Sequence, residues 1–415
     1  IWDDFAKRKL NGIDGLNACN HYEYYEEDIK LIKDLGFRAY RFSFSWPRLY
    51  PENNRELNNE GVDFYQRLLD KILENDLEPF PTLYHWDLPQ ALEDQFGSWA
   101  GRETAHRFGD FAAAIAGHFS DRVQHYITTN EFENIAEWPH LSGNKAPGTI
   151  LSRKGLNAAR HNALLGHGLS AQAIRANSGS KTQVGIAESP RACVPIMETE
   201  EHIAAARKAC RLYDLNPFFL TPLFEGAYPE EHLEAEGADA PIFTDEEMQI
   251  IATPLDFFGI NNYNPVYIRA ADNAQGFEAL PAAPGHPTSD ADWQTIGTES
   301  IYWVTRLIND LWSPKAIYIT ENGMCCDDKM DANGEVLDTD RLMYLRHSLS
   351  SVHRAVQEQV PLRGYFAWSL LDNFEWAFGY SRRFGLVHVN FETFERTPKM
   401  SYHYYRNVIT ANRVL

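Results

Sequence analysis

Two glutamates end strand-like runs in the same manner. Ile317-Tyr-Ile-Thr-Glu-Asn-Gly323 is apolar and β-branched up to Glu321, and Asn-Gly then stops the strand. Thr128-Thr-Asn-Glu131 brings Glu131 to the end of another such run. In a parallel α/β protein, carboxylates at the C-terminal ends of strands lie where ligand chemistry collects. Two carboxylates about 5–5.5 Å apart across a glycosidic bond can cleave it: one protonates the departing oxygen while the other attacks the anomeric carbon. The proton donor needs a raised pKa and the nucleophile must stay ionised, which a cation such as Arg41 beside it would favour.

Other predicted strand ends also carry functional side chains: Arg41 and Trp46, His85 and Trp86, Asn130, Glu188, Asn261 and Tyr263, Trp368, then Glu375 and Trp376. Taken singly, each has a plainer explanation. A histidine beside a tryptophan is more often a hydrogen-bonded core residue, indoles often only pack, and an arginine often only neutralises buried acids. Together they describe a mouth lined with aromatic platforms and paired donors. Such a mouth suits a sugar, whose ring faces stack on indoles and whose hydroxyls need paired partners.

The elements that must position these groups alternate along the chain. Apolar spacing predicts helices over 21–36, 62–76, 102–119, 153–177, 201–212, 300–311, 340–359 and 402–411. Strands are expected over 38–46, 78–86, 125–131, 182–188, 255–263, from 317, and over 362–371. Residues 1–20 read as loop with at most a helical turn, and 270–297 as loop. This alternation calls for a parallel sheet. No glycine-rich phosphate loop follows an early strand, since Gly166-His-Gly168 lies within a helical pattern and lacks a third glycine. No Gly/Ser- or Pro-rich linker divides the chain, so residues 1–415 are read as a single α/β TIM (β/α)8-type barrel. Seven strands are found where a closed barrel of this type has eight.

Composition narrows the function. A net charge of −20 argues against nucleic acid and against an anionic membrane surface. No apolar run is long enough to span a bilayer. The 5 cysteines are scattered, with Cys325-Cys326 adjacent, which suits neither a disulfide framework nor a tetrahedral metal and fits a reducing, cytoplasmic setting. No metal or other cofactor is expected, a homo-oligomer is compatible with the sequence, and the partner is a small-molecule β-glycoside.

The motifs themselves resemble glycoside hydrolase family 1, the β-glucosidases. Phe42-Ser-Phe-Ser-Trp-Pro-Arg48, Thr82-Leu-Tyr-His-Trp-Asp-Leu-Pro-Gln-Ala-Leu92, Thr129-Asn-Glu131, Ile317 to Gly323 and Trp368-Ser-Leu-Leu-Asp-Asn-Phe-Glu-Trp376 carry the resemblance in order. Tyr380 to Leu386 and Arg396-Thr-Pro-Lys399 extend it toward the C-terminus. The resemblance implies Glu131 as acid/base and Glu321 as nucleophile of a retaining β-glycosidase. Asn130 would hold the sugar 2-hydroxyl, while Tyr263 and Arg41 orient Glu321 and keep it charged. His85 and Trp376 would bind the 3-hydroxyl region, Glu375 the 4- and 6-hydroxyls, and Trp368 the sugar face. Trp293 resembles the platform for the aglycone. Relatives acting on 6-phosphorylated sugars carry Ser and Lys near the Glu375 position. A carboxylate there repels phosphate, which favours the unphosphorylated sugar.

The chain departs from the family pattern in three ways. The family's opening segment, with its first strand and a sugar-binding Gln, is missing before Ile1-Trp-Asp-Asp-Phe5, and a barrel without that strand is expected to need its gap covered. Phe132 follows Glu131 where the family has Pro, and Glu133 comes next. Glu133 is expected to face solvent, the alternative being that it raises the pKa of Glu131 by like-charge repulsion. Glu188 ends a strand where relatives carry no acid, yet its flanking residues match no catalytic motif. A sugar-binding scaffold without catalysis is the rival reading.

Overall fold

The computed structural model describes residues 1–52 and 56–415. Seven parallel strands form one sheet, hydrogen-bonded in sequence order. They are β1 (Ala39–Ser43), β2 (Glu78–Tyr84), β3 (His125–Asn130), β4 (Gln183–Glu188), β5 (Phe257–Asn261), β6 (Ile317–Asn322) and β7 (Leu362–Ala367). All seven expected strands are present, each slightly shorter than its sequence pattern. β3 and β5 are buried along their whole length, as strands of a parallel sheet covered on both faces are.

Two compact units divide the chain. The first comprises 1–14, 38–189 and 217–258; the second comprises 15–37, 190–216 and 259–415. In the first, β1 to β4 pair in parallel register, with Arg41 opposite Phe80 and Tyr84 opposite Thr129. The helices Asn59–Glu74, Arg102–Phe119 and Arg153–Ala176 cover this sheet, and the last is capped by Ser152, whose side chain accepts from the Gly155 amide. The core there is aromatic: Trp46 stacks on Phe111 at 5.0 Å, and Trp99 meets Tyr84 edge-on at 5.2 Å.

In the second unit β6 pairs with β7, flanked by Ser300–Trp312 and Thr339–Gln357. Leu345, Leu349, Leu371, Val387, Val389, Tyr402 and Tyr405 form its apolar core. The ladders of β3–β4 and β6–β7 both shift register near their C-terminal ends, between Ile127 and Asn130 and between Tyr365 and Ala367. Such irregularities re-aim the side chains that follow, here Glu131 and Trp368.

Four stretches differ from the sequence reading. Trp2–Lys9 is a full helix rather than loop, buried through Trp2, Phe5 and Ala6. Its ends carry the charge that a helix favours, Asp3 and Asp4 first and Lys7, Arg8 and Lys9 last. Within 270–297 lies the strand Phe277–Leu280, which pairs with Pro265–Ala270, itself paired with Ala192–Pro195. Glu133–Ser142 is a wide, π-type helix whose pattern is broken by Pro139. Shorter helices, Asn216–Glu225 and Asp245–Ile251 among them, fill what read as irregular chain. All five cysteines are free thiols. Among the described residues no helix is long and apolar enough to cross a membrane, and no three His, Cys, Asp or Glu gather as metal ligands.

Candidate active site

In the first unit the site grows from the ends of β1, β2 and β3. Arg41, on β1, donates from Nε to Thr82 Oγ1 at 3.2 Å and from its terminal nitrogen to Asn130 Oδ1 at 2.5 Å. This fixes the amide of Asn130, so its nitrogen faces His85 Nε2 at 3.5 Å. His85 is held well below the usual histidine value, first by burial and then by the Arg41 and Lys145 cations. Its ring keeps some surface exposed, so the two cations are the part of that cause the geometry makes plain. A neutral imidazole is thereby kept at the end of β2.

Glu131 follows β3 directly. Its amide donates to the Ala187 carbonyl at 2.8 Å, and its backbone then turns into the left-handed region at φ 54°. Trp86 (φ 74°) and Trp376 (φ 46°) share that conformation, which costs a non-glycine residue on the order of 1–3 kcal/mol. Three expected site residues thus sit on strained backbone, held by contacts around them. Trp86 donates through Nε1 to the Asn130 carbonyl at 2.8 Å, and its own carbonyl accepts from Trp2 Nε1 at 3.0 Å. The carboxyl of Glu131 is buried, with 6% of the residue exposed, and Oε2 accepts from Asn134 Nδ2.

Glu188 and Glu133 need correction or completion. Glu188 is buried and its Oε2 accepts from the Phe132 amide at 2.9 Å, so it anchors the turn that aims Glu131. Glu133 is buried at the start of the π-type helix and does not face solvent as expected. The chain folds inward immediately after Glu131, and that carries Glu133 with it.

In the second unit Glu321 ends β6, with 4% of the residue exposed. Tyr263 donates its hydroxyl to Glu321 Oε2 at 2.9 Å, the contact expected of it. The Asn262 amide donates to the Glu321 carbonyl at 2.9 Å, and Asn322 ties the strand to Tyr344 and to the Asn262 carbonyl. Gly323 is required: a Cβ there would stand 1.8 Å from the Trp368 carbonyl oxygen, where the two chain segments cross. Asn261 is wholly buried and its Oδ1 accepts from Thr320 at 2.7 Å, inside the sheet.

Aromatic rings gather in this same unit. Trp293, 40% exposed, stacks beside Phe384 at 6.2 Å and meets Tyr263 edge-on at 5.5 Å. Tyr263, Trp368 and Phe384 pack around Cys325 and Ala291. Glu375 and Trp376 lie half-buried on the turn after β7, closed by a bond from the Glu375 amide to the Gly379 carbonyl at 2.7 Å. Phe384, Gln294, Asn134 and Lys145 were not singled out in the sequence. Gln294 fixes the chain after Glu321 by donating to the Gly323 carbonyl at 2.6 Å. Asn134 was findable as the residue three positions beyond an acid at a strand end; nothing local marks Lys145.

Acids, amides and indoles at the ends of parallel strands define a carbohydrate-active barrel enzyme. Comparison with known proteins makes the class specific. The sequence model of Glycosyl hydrolase family 1 matches residues 1–414. The chain is 39% identical to a 1,4-beta-D-glucan glucohydrolase of Thermotoga neapolitana, over 99% of this chain and 92% of that one. It is 37% identical to a bifunctional beta-D-glucosidase/beta-D-fucosidase of Bifidobacterium breve, again over 99% of this chain and 92% of the relative. A solved family 1 β-glucosidase from Thermotoga maritima superposes with a TM-score of 0.88 at 38% identity, covering 99% of this chain and 91% of that one. The same enzyme has been solved in complex with deoxynojirimycin, with a TM-score of 0.89 to this chain. The chain belongs to glycosyl hydrolase family 1: it is a glycoside hydrolase on the parallel (β/α) barrel of that family.

Proposed function

We propose that this hydrolase is a retaining β-glycosidase, acting from a single catalytic barrel on terminal β-D-glucosyl residues of β-glucosides and cello-oligosaccharides. Galactosides and fucosides are further substrates of the same site, because the 4-position is read by the same residues. Glu321 is the nucleophile and Glu131 the acid/base on one glycosidic bond. The observation that carries this reading is the Tyr263 hydroxyl on Glu321 Oε2 at 2.9 Å, a donor fixed on a buried carboxylate at a strand end. Such a bond favours the ionised form and leaves the second oxygen to attack. The β-glucosidase names of its relatives support the sugar, and the glucosidase/fucosidase supports latitude at the 4- and 6-positions.

In the first step Glu131 protonates the departing oxygen as Glu321 forms a bond to the anomeric carbon. In the second, Glu131 takes a proton from water, which displaces Glu321. Arg41 and Asn130 present the amide for the 2-hydroxyl, the neutral ring of His85 offers a donor and an acceptor to the 3-hydroxyl region, and Trp368 with Trp376 covers the ring. Glu375 keeps a carboxylate toward the 4- and 6-hydroxyls, which disfavours a 6-phosphate.

Glu321→Ala should lower turnover of a nitrophenyl β-glucoside by about 10⁴-fold or more, on the scale of losing a unit of catalytic machinery. Azide should then restore turnover and give the α-glycosyl azide. Full activity in the variant, or a β-configured azide product, overturns the assignment.

A further inference from the structure

The carboxyl of Glu131 is not held by the sheet. It is held by the first turn of the π-type helix and by the loop that follows. Asn134 donates from Nδ2 to Glu131 Oε2, and its Oδ1 accepts from Lys145 Nζ. Lys145 in turn lies over the Trp86 indole at 4.3 Å, and that indole is fixed by its bond to the Asn130 carbonyl at 2.8 Å. The Asn134 amide donates to the Glu131 carbonyl at 3.0 Å, which sets the two side chains on the same side of the turn.

The order of this chain follows from its chemistry. An ammonium group only donates, so it must face the oxygen of an amide. With Lys145 on Oδ1, the amide nitrogen of Asn134 has to face Glu131, and the opposite flip is excluded. An N–H facing Oε2 makes that oxygen the acceptor of the carboxyl, so the acidic proton resides on Oε1. Without Lys145 both amide orientations become available, and the flipped one would present an oxygen to the protonated acid and draw its proton toward Asn134.

We propose that Asn134, oriented by Lys145, is a positioning residue for Glu131 that fixes which carboxyl oxygen carries the proton delivered to the departing group. This rests on Glu131 being the acid/base, and it adds two residues that neither strand-end motif contains. Trp86 gains a second task, as the platform that holds Lys145. Because both residues act through proton delivery, they matter in proportion to how much the departing group needs a proton.

The test compares variants on β-glucosides with leaving groups from dinitrophenol, which departs unaided, to an alkyl alcohol or a second sugar. Asn134→Val should lower kcat/KM on the poorest leaving groups by up to about 100-fold, the scale of a small misplacement of a catalytic group, and on dinitrophenyl glucoside by less than about 3-fold. Lys145→Met should show the same trend to a smaller degree, and Lys145→Arg should retain most activity, because a guanidinium also only donates. In the Asn134→Val background, Lys145→Met should have no further effect. Equal losses across all leaving groups, or additive losses in the double variant, overturn the proposal. Lys145 is a loop side chain, so its variants keep the test informative if Asn134→Val folds poorly. Glu131→Ala is measured alongside. If it shows no dependence on leaving group, the acid/base assignment itself fails. If it does while Asn134→Val does not, the positioning role alone fails.

Discussion

At the scale of single residues, Glu188 shows how an acid at a strand end can serve catalysis without taking part in it. Its flanking residues match no catalytic motif, and its Oε2 accepts the Phe132 amide at 2.9 Å, directly behind Glu131. A buried amide that loses its acceptor costs about 1–3 kcal/mol. Glu188→Ala should therefore destabilise the protein by about that amount and reduce turnover through the loosened Glu131 turn. Glu188→Gln, which still offers a carbonyl oxygen, should stay within about 1 kcal/mol of the parent, the span of an ordinary neutral hydrogen bond. Urea unfolding of the three proteins decides it; equal destabilisation by Ala and Gln would mean that charge, and not acceptance of the Phe132 amide, is what Glu188 supplies. The same contrast explains what could be read in advance. Glu321 and its partner Tyr263 were legible because each closes a strand in a motif. The roles of Glu188 and Asn134 depend on contacts made after the chain turns, and no local pattern reports those.

At the scale of elements, the turn after β7 carries Glu375 and Trp376 and has little regular structure of its own. A buried ionic network holds its base. Lys399, wholly buried, donates from Nζ to Asp328 at 2.5 Å and Asp372 at 2.7 Å, and Arg383 reaches Asp372 at 2.6 Å. Arg341 pairs with Asp328 at 2.7 Å and with Asp338 at 2.5 Å, joining the helix Thr339–Gln357 to the loop after β6. Burial and the neighbouring Arg341 pull the Lys399 ammonium below its usual range, while Asp372 stays below the ordinary carboxylate value against its burial because Lys399 and Arg383 face it. Replacing Lys399 by Met strands two carboxylates without their shared cation, which costs about 3–5 kcal/mol for a buried pair. Chemical denaturation should show that loss, and KM should rise as the turn bearing Glu375 and Trp376 loosens. An unchanged denaturation midpoint would mean that the network adds nothing to stability. Elements with a long period, such as Arg102–Phe119, were legible to the residue, whereas Ala192–Pro195 was not: it is short, ends in proline and pairs with a strand beginning at Pro265. Strand pairing at that separation leaves no periodic trace.

At the scale of the whole molecule, several histidines are folded in their neutral form, which makes stability depend on pH well above the range where carboxylates titrate. His167 is wholly buried on the helix Arg153–Ala176, with Nδ1 at 2.6 Å from Thr128 Oγ1 and no hydrogen-bond partner for Nε2 among the described residues. An imidazolium there would bury an unpaired N–H, and burial lowers its pKa to about 3. His161, facing Tyr228 and Glu247, is lowered to about 4, again chiefly by burial. Between those values and the free histidine value near 6.5, the unfolded chain binds protons that the folded one does not. Stability therefore rises with pH across that window and falls as the solution is acidified, by up to about 1.4 kcal/mol per pH unit for each such group. Asp372, whose pKa is depressed, adds its own loss only at lower pH, so the two contributions separate. His167→Gln, which keeps an amide for Thr128 and removes the titration, should make the fall in urea midpoint between pH 6.5 and pH 4.5 shallower while changing little at pH 7.5. An unaltered slope would mean that His167 takes up its proton in the folded state, and the acid sensitivity would then have to arise from the paired carboxylates.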